Sequence, residues 1–238
     1  PVGPVLRGLL DRRTYPRWLR DQADRLREAA PAQDPDAIPL GWGPPVRMAP
    51  WATHRAASLV ADLLEEHAAT ARPLAAERGQ HQTLHRLRAA SGLYRQLRQE
   101  FDQPWLAFPF LDDRVVEACL AVRTHERGTP FAYKPLLAEA AHGVVPAELL
   151  GRRTKGSTDS DFYAGLREQR AALGRLVDHS LLAETGLLDV PALRAALHVP
   201  LPRTSAALED ALAVEHWLRH GRLTAPAPVR SGPPTRSA

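Results

Sequence analysis

Apolar residues recur at three- and four-residue intervals along most of the chain, the spacing of helices with one buried face. Tyr15 to Ala30 places Trp18, Leu19, Ala23 and Leu26 on one side. A loop rich in Pro and Gly follows, from Pro31 to Pro50, and contains Trp42, Gly43, Pro44 and Pro45. The next helix is predicted from about Thr53 to Ala76, with Thr53 as N-cap and Leu59, Leu63 and Leu64 as its apolar stripe. Another is predicted from about Gln82 to Phe101, with Leu84, Leu87, Leu93, Tyr94 and Leu97 facing inward. Gly92 within it weakens the helix.

The texture then changes. Pro104 to Leu111 (PWLAFPFL) is apolar but broken by prolines, which predicts an extended, buried segment. Asp112 and Asp113 stand at the head of a helix predicted over Arg114 to Val122, where a carboxylate caps free N–H groups and suits the dipole. Gly128 and Pro130 end the following loop. Short helices are predicted over Tyr133 to His142 and Pro146 to Leu150, then a polar Gly-containing loop over Gly151 to Ser160. Longer helices are predicted over Asp161 to His179, Asp189 to His198 and Ser205 to His220, the last carrying Leu208, Leu212, Val214, Trp217 and Leu218. The Pro-, Ser- and Arg-rich end reads as a disordered tail over 224–238, leaving 1–223 as the folded part. No repeat of fixed period is present. The fold class is mainly α.

Composition agrees. Hydrophobic residues make up 44% of the 238, enough for a core, whereas aromatics are only 6%, which favours helices over a β-sandwich. The net charge of +4 is spread along the chain without a run of like charges, so no nucleic-acid tract is indicated. The single cysteine, Cys119, excludes an internal disulfide. Its setting (VVEACLAV) predicts a buried, inert thiol. No signal peptide and no apolar stretch of membrane-spanning length occurs, so a cytoplasmic protein without a membrane partner is expected. The sequence opens at Pro1 and its one methionine is Met48, so residues upstream are expected.

Among 31 Lys and Arg residues only two are lysine, Lys134 and Lys155. Arg is a permanently charged planar fork, while Lys is a compact point charge suited to a phosphate. Both lysines lie in the most distinctive stretch. Lys134 heads a predicted helix, where positive charge opposes the dipole unless an anion binds there. Lys155 sits in a loop with Gly156, Ser157 and Thr158, and Arg152 and Arg153 add to the positive field. Asp112 or Asp113 could hold Mg²⁺ on the same phosphates, because Mg²⁺ takes one or two carboxylates plus substrate oxygens. These residues point to a triphosphate or pyrophosphate site, with capping as the plainer role of at least one aspartate.

The run PFLDDRVVEA, then YKPLLAEA, then VPAELLGRRTKG resembles the C-terminal synthetase region of the asparagine synthetase family, most closely over 108–160. PLGWGPPVRMAPWAT and DFYAGLREQRAAL are similar to the actinobacterial lasso-peptide cyclases of that family. The resemblance implies the helical C-terminal portion of an α/β adenine-nucleotide-binding domain of the PP-loop type. It implies ATP and Mg²⁺ as cofactors, and adenylation of a side-chain carboxylate that the amine of a precursor peptide then attacks to close a macrolactam. A leader peptidase and a leader-binding protein would be further partners. By the same resemblance Lys155 contacts phosphates and stabilises developing charge, Lys134 is the second basic position near pyrophosphate, and Gly156 belongs to the nucleotide loop. Asp112 helps shape the nucleotide and Mg²⁺ site.

Two departures stand out. The family's Ser-Gly-Gly-x-Asp-Ser phosphate loop is absent from these residues, as is a glutaminase domain with a leading Cys. These absences predict either the C-terminal part of a longer enzyme or a remnant without ATP binding. The acidic residue that asparagine synthetases carry shortly before the Pro-Phe-Leu-Asp turn is replaced by Leu106, Ala107 and Phe108. The alternatives to macrolactam closure are thus glutamine-dependent asparagine synthesis and a non-catalytic helical interaction module. Histidine pairs at i, i+4 spacing, His81 with His85 and His216 with His220, lack a completing ligand and read as ordinary core or surface residues. Trp42 and Trp51 read as anchors of the Pro-rich loop rather than as a peptide groove.

Overall fold

The computed structural model describes residues 11–28, 41–100, 107–129, 131–151, 159–198 and 205–221. The expected tail over 224–238 lies outside them. Eleven α-helices occur among the described residues: α1 Tyr15–Arg27, α2 His54–Thr70, α3 Arg78–Glu100, α4 Asp113–Ala121, α5 Pro135–Ala140, α6 Ala147–Leu150, α7 Asp159–Glu168, α8 Arg170–Asp178, α9 Leu181–Glu184, α10 Val190–Ala196 and α11 Ser205–His220. Single 3₁₀ turns span Pro109–Leu111 and Thr124–Glu126. The described residues form no strand, only isolated bridges pairing Ala52 with Leu188 and Thr129 with Ala132. None of their helices is long and apolar enough to cross a membrane. The mainly helical reading therefore stands.

The chain divides into two compact units, one of Pro1–Gln22, Pro31–Val46 and Leu64–Ser157, the other of Ala23–Ala30, Arg47–Leu63 and Thr158–Ala238. The first unit is built on an aromatic cluster of Tyr15, Trp18, Leu19, Trp42 and Ala68. Trp18 lies flat against a glycine turn: a Cβ on Gly41 would sit 3.0 Å from its indole nitrogen, and one on Gly43 3.2 Å from its ring edge. Glycine is used there for close approach. The Trp42 indole donates to the Arg13 carbonyl at 2.8 Å, and the Arg78 guanidinium lies 5.6 Å over its ring. Arg13 grips Asp11 through both carboxylate oxygens and also pairs with Asp21 at 2.7 Å. Hydrogen bonding from Arg13 holds the Asp11 carboxyl down to about 2, despite burial that opposes ionisation. His81 is nearly enclosed, its Nδ1 accepting from the Leu74 amide at 3.0 Å while Tyr15 and Trp42 flank the ring. It is a core histidine.

The second unit packs Trp51, Val177, Leu188, Leu193, Ala196, Leu197 and Leu208 into one cluster. Backbone bonds tie the Trp51 segment to the turn before α10: the Asp189 amide donates to the Trp51 carbonyl at 2.8 Å, and the Thr53 amide to Leu187 at 3.1 Å. Thr53 caps α2 as expected, accepting from the Ala56 amide at 3.2 Å. Asp189 does the same for α10, accepting from Ala192 at 2.8 Å. Both loop tryptophans, Trp42 and Trp51, are buried anchors.

Several expectations are corrected. The helix begun at Thr53 stops at Thr70, because Arg72 precedes Pro73 and that position disfavours helix. Leu59, Leu63 and Leu93 are exposed rather than inward. The helix expected over 161–179 is interrupted at Gln169, whose φ of −94° and ψ of 6° end one helix and begin another. The described end of the Pro104–Leu111 segment is a 3₁₀ turn, with Pro109 setting φ, and Phe110 is 71% exposed. Cys119 is exposed, not buried. The last two corrections fall in one stretch: no described residue from 107 to 151 is buried, although Phe108 stacks on Tyr94 with ring centroids 4.0 Å apart.

Candidate functional site

Asp112 is positioned by the turn before it. The Leu111 amide donates to the Phe108 carbonyl at 2.8 Å and the Asp112 amide to Pro109 at 3.3 Å, closing the Pro109–Leu111 turn. Asp112 then adopts extended φ and ψ of −62° and 132° and becomes the N-cap of α4. Its Oδ1 accepts from the Arg114 amide at 3.0 Å and from Arg114 Nε at 3.2 Å. The capping role is thus present in the fold. Both contacts use the same oxygen, on a half-exposed side chain. Asp113 follows in the first turn, also exposed.

A carboxylate with one oxygen unpartnered among the described residues, beside a second exposed carboxylate, fits the hard-oxygen preference of Mg²⁺. Among the described residues no group of three or more His, Cys, Asp or Glu could hold a metal unaided. A Mg²⁺ at Asp112 would therefore depend on phosphate oxygens for most of its shell.

Lys134 has an unusual backbone. Its φ of 48° and ψ of 54° are left-handed, and it is the only non-glycine residue with positive φ among those described. It is the N-cap of α5, with Pro135 next, and its carbonyl accepts from Ala138 at 3.0 Å. A lysine gains nothing locally from this conformation, which costs roughly 1–2 kcal/mol for a residue with a Cβ. The ammonium is exposed and lies 5.1 Å over the Tyr133 ring, with no ion-pair partner among the described residues.

Asp112 and Lys134 both belong to the first unit, and no hydrogen bond or ion pair joins them among the described residues. Lys155 and Gly156, with Arg152, Arg153, Ser157 and Thr158, lie outside the described residues. Sequence reading passed over Arg127, which organises the other end of α4. Its Nε donates to the Val122 carbonyl at 2.7 Å, one Nη to Leu120 at 2.8 Å and the other to Gln80 at 2.8 Å. The available signal was a basic residue just beyond a predicted helix end, where free carbonyls attract cations.

An exposed carboxylate pair and a lysine with no ion-pair partner among the described residues, both presented at helix starts, suit a ligand that carries phosphates and a metal ion. That chemistry agrees with the sequence comparison. The chain matches the family model described as asparagine synthase over residues 8–219, most of its length. It belongs to the asparagine synthase family. No curated protein and no solved structure matches it.

Proposed function

We propose that this chain serves ATP-dependent amide formation through an acyl-adenylate, and that the amide is the isopeptide closing a macrolactam on a ribosomal precursor peptide. The observation that carries the reading is Lys134: a strained backbone at a cation with no ion-pair partner among the described residues, heading a helix that resembles the family's lysine-led one. Mg²⁺ at Asp112 would bridge and neutralise phosphate oxygens. A substrate carboxylate oxygen attacks the α-phosphorus of ATP, and pyrophosphate leaves. The peptide amine then attacks the acyl carbon, and AMP leaves with loss of the amine proton. Lys134 and Lys155 hold the negative charge that grows on the phosphates, with Gly156 letting the backbone approach. The precursor peptide, a leader peptidase and a leader-binding protein are the proposed partners.

The test is incubation of the full-length protein with ATP, Mg²⁺ and a candidate precursor peptide. AMP release with loss of one water from the peptide mass is the expected result. Lys155→Ala should abolish both; normal turnover in that variant would remove its assigned role. Asparagine formed from aspartate and glutamine would instead establish the synthetase reading, which the family description favours. Absence of AMP with every acceptor would leave the helical interaction module.

A further inference from the structure

We propose that the cleft between the start of α3 and the end of α4 binds a small carboxylate, a monoanion on a short apolar body. The cleft measures about 520 Å³, within the range of small-ligand sites. Ala75, Ala76, Leu120 and Ala121 give it apolar walls, and Arg127 lines it. A guanidinium has five N–H groups. Arg127 spends one each on Val122, Leu120 and Gln80, which immobilises the fork and leaves two donors. The two remaining N–H groups, one on each Nη, can donate to carboxylate oxygens, and the charge-assisted bonds favour a carboxylate over a neutral group.

The electrostatics decide the class. The end of a helix carries about half a negative charge, which repels anions. Here Arg127 occupies the carbonyls of Leu120 and Val122, so an entering anion meets the fork instead. Arg123 adds positive charge to the lining beside Arg127, while Glu77 opposes it. The balance favours one negative charge over two. Capping alone explains the two carbonyl bonds of Arg127, but it does not require an open cleft before the fork. The cleft stands at the opposite end of α4 from Asp112, about 13 Å along a nine-residue helix. It shares no residue with the proposed phosphate site.

The experiment is calorimetric titration of the full-length protein with propionate and with N-acetylalanine, at constant ionic strength, with chloride and inorganic phosphate as references. Saturable binding of at least one carboxylate, tighter than phosphate, is expected. Preference for N-acetylalanine identifies a peptide C-terminus as the source, and preference for propionate a free acid. Arg123→Gln should weaken binding about tenfold by removing one positive charge from the lining. Ala121→Leu, at an exposed position, should fill the cleft and abolish binding while the free protein melts as before. Lys134→Ala should leave binding unchanged, which separates this site from the amide-forming one. No saturable carboxylate signal, tighter binding of phosphate, equal response to chloride, or full binding by Ala121→Leu would each overturn the assignment.

Discussion

Glu215 accepts the Ser180 hydroxyl at 2.8 Å, across 35 residues of sequence, and so fixes the start of α9 from the middle of α11. The same carboxylate takes the amides of Leu181 and Leu182 at 3.0 Å and Arg219 Nε at 2.7 Å, while Ser180 itself caps Ala183. Glu215 is only 3% exposed, so these donors must satisfy it completely. Glu215→Ala should destabilise the protein by about 3 kcal/mol, because it strands buried donors and Arg219 together. Urea unfolding of the variant measures this.

The same group predicts an acid dependence. Burial pushes the Glu215 carboxyl up, but the amides of Leu182 and Leu181, then Ser180 and Arg219, more than offset it and hold it below its ordinary 4.5. Its stability contribution is therefore complete above about pH 4.5 and is lost as pH falls through the lower folded value. Glu215→Gln should flatten the plot of melting temperature against pH in that acid window.

His81 acts in a different window. Burial first, and then the neighbouring His85, push its imidazole below 6.5. The unfolded chain thus takes the proton before the folded one, and stability should fall as pH drops below about 6.5. A protonated Nδ1 can no longer accept the Leu74 amide. His81→Phe keeps the aromatic contacts and should remove this slope, at a lower starting stability. An unchanged slope in differential scanning calorimetry would assign the effect to another group.

Lys134 carries strain that glycine would relieve. Lys134→Gly should stabilise the fold by up to about 1 kcal/mol, the left-handed penalty less the added freedom of glycine when unfolded. Lys134→Ala, which keeps the penalty, should not. Both should lose adenylation. A stabilised Gly variant with full activity would show that the strain has no catalytic purpose.

Gly79 lets the first turn of α3 pass close to Thr124, because an added Cβ would lie 2.8 Å from the Thr124 methyl. Gly79→Ala should therefore cost about 1 kcal/mol, the overpacking exceeding the gain in helix propensity. In a Thr124→Ser background the methyl is gone, and the same substitution should become neutral or stabilising. Chemical unfolding of the four variants of this cycle isolates the contact.

Helix starts were the most legible feature of the sequence. Thr53 caps α2 and Asp112 caps α4, because a capping side chain bonds an amide two or three residues away and so depends on local order alone. The bounds of α11 also match, Ser205–His220. Burial was less legible. The run around Cys119 shows that α4 has an apolar face, but a periodic pattern does not say whether a partner lies within the chain, and here none is described. Arg127 escaped notice because its partner Gln80 is 47 residues away. Asp112 and Lys134 were singled out through residue type and resemblance. The left-handed backbone of Lys134 was not, because nothing about lysine announces it.

That no described side chain between 107 and 151 is buried has a kinetic consequence. Amides of α4, α5 and α6 have only their own helical bonds to slow exchange with deuterium, whereas those of α8 and α10 are backed by Val177 and Leu193 in a packed cluster. The stretch that presents Asp112 and Lys134 should label within the first time points of an exchange experiment. Whatever occupies it will then register as protection against a nearly blank background.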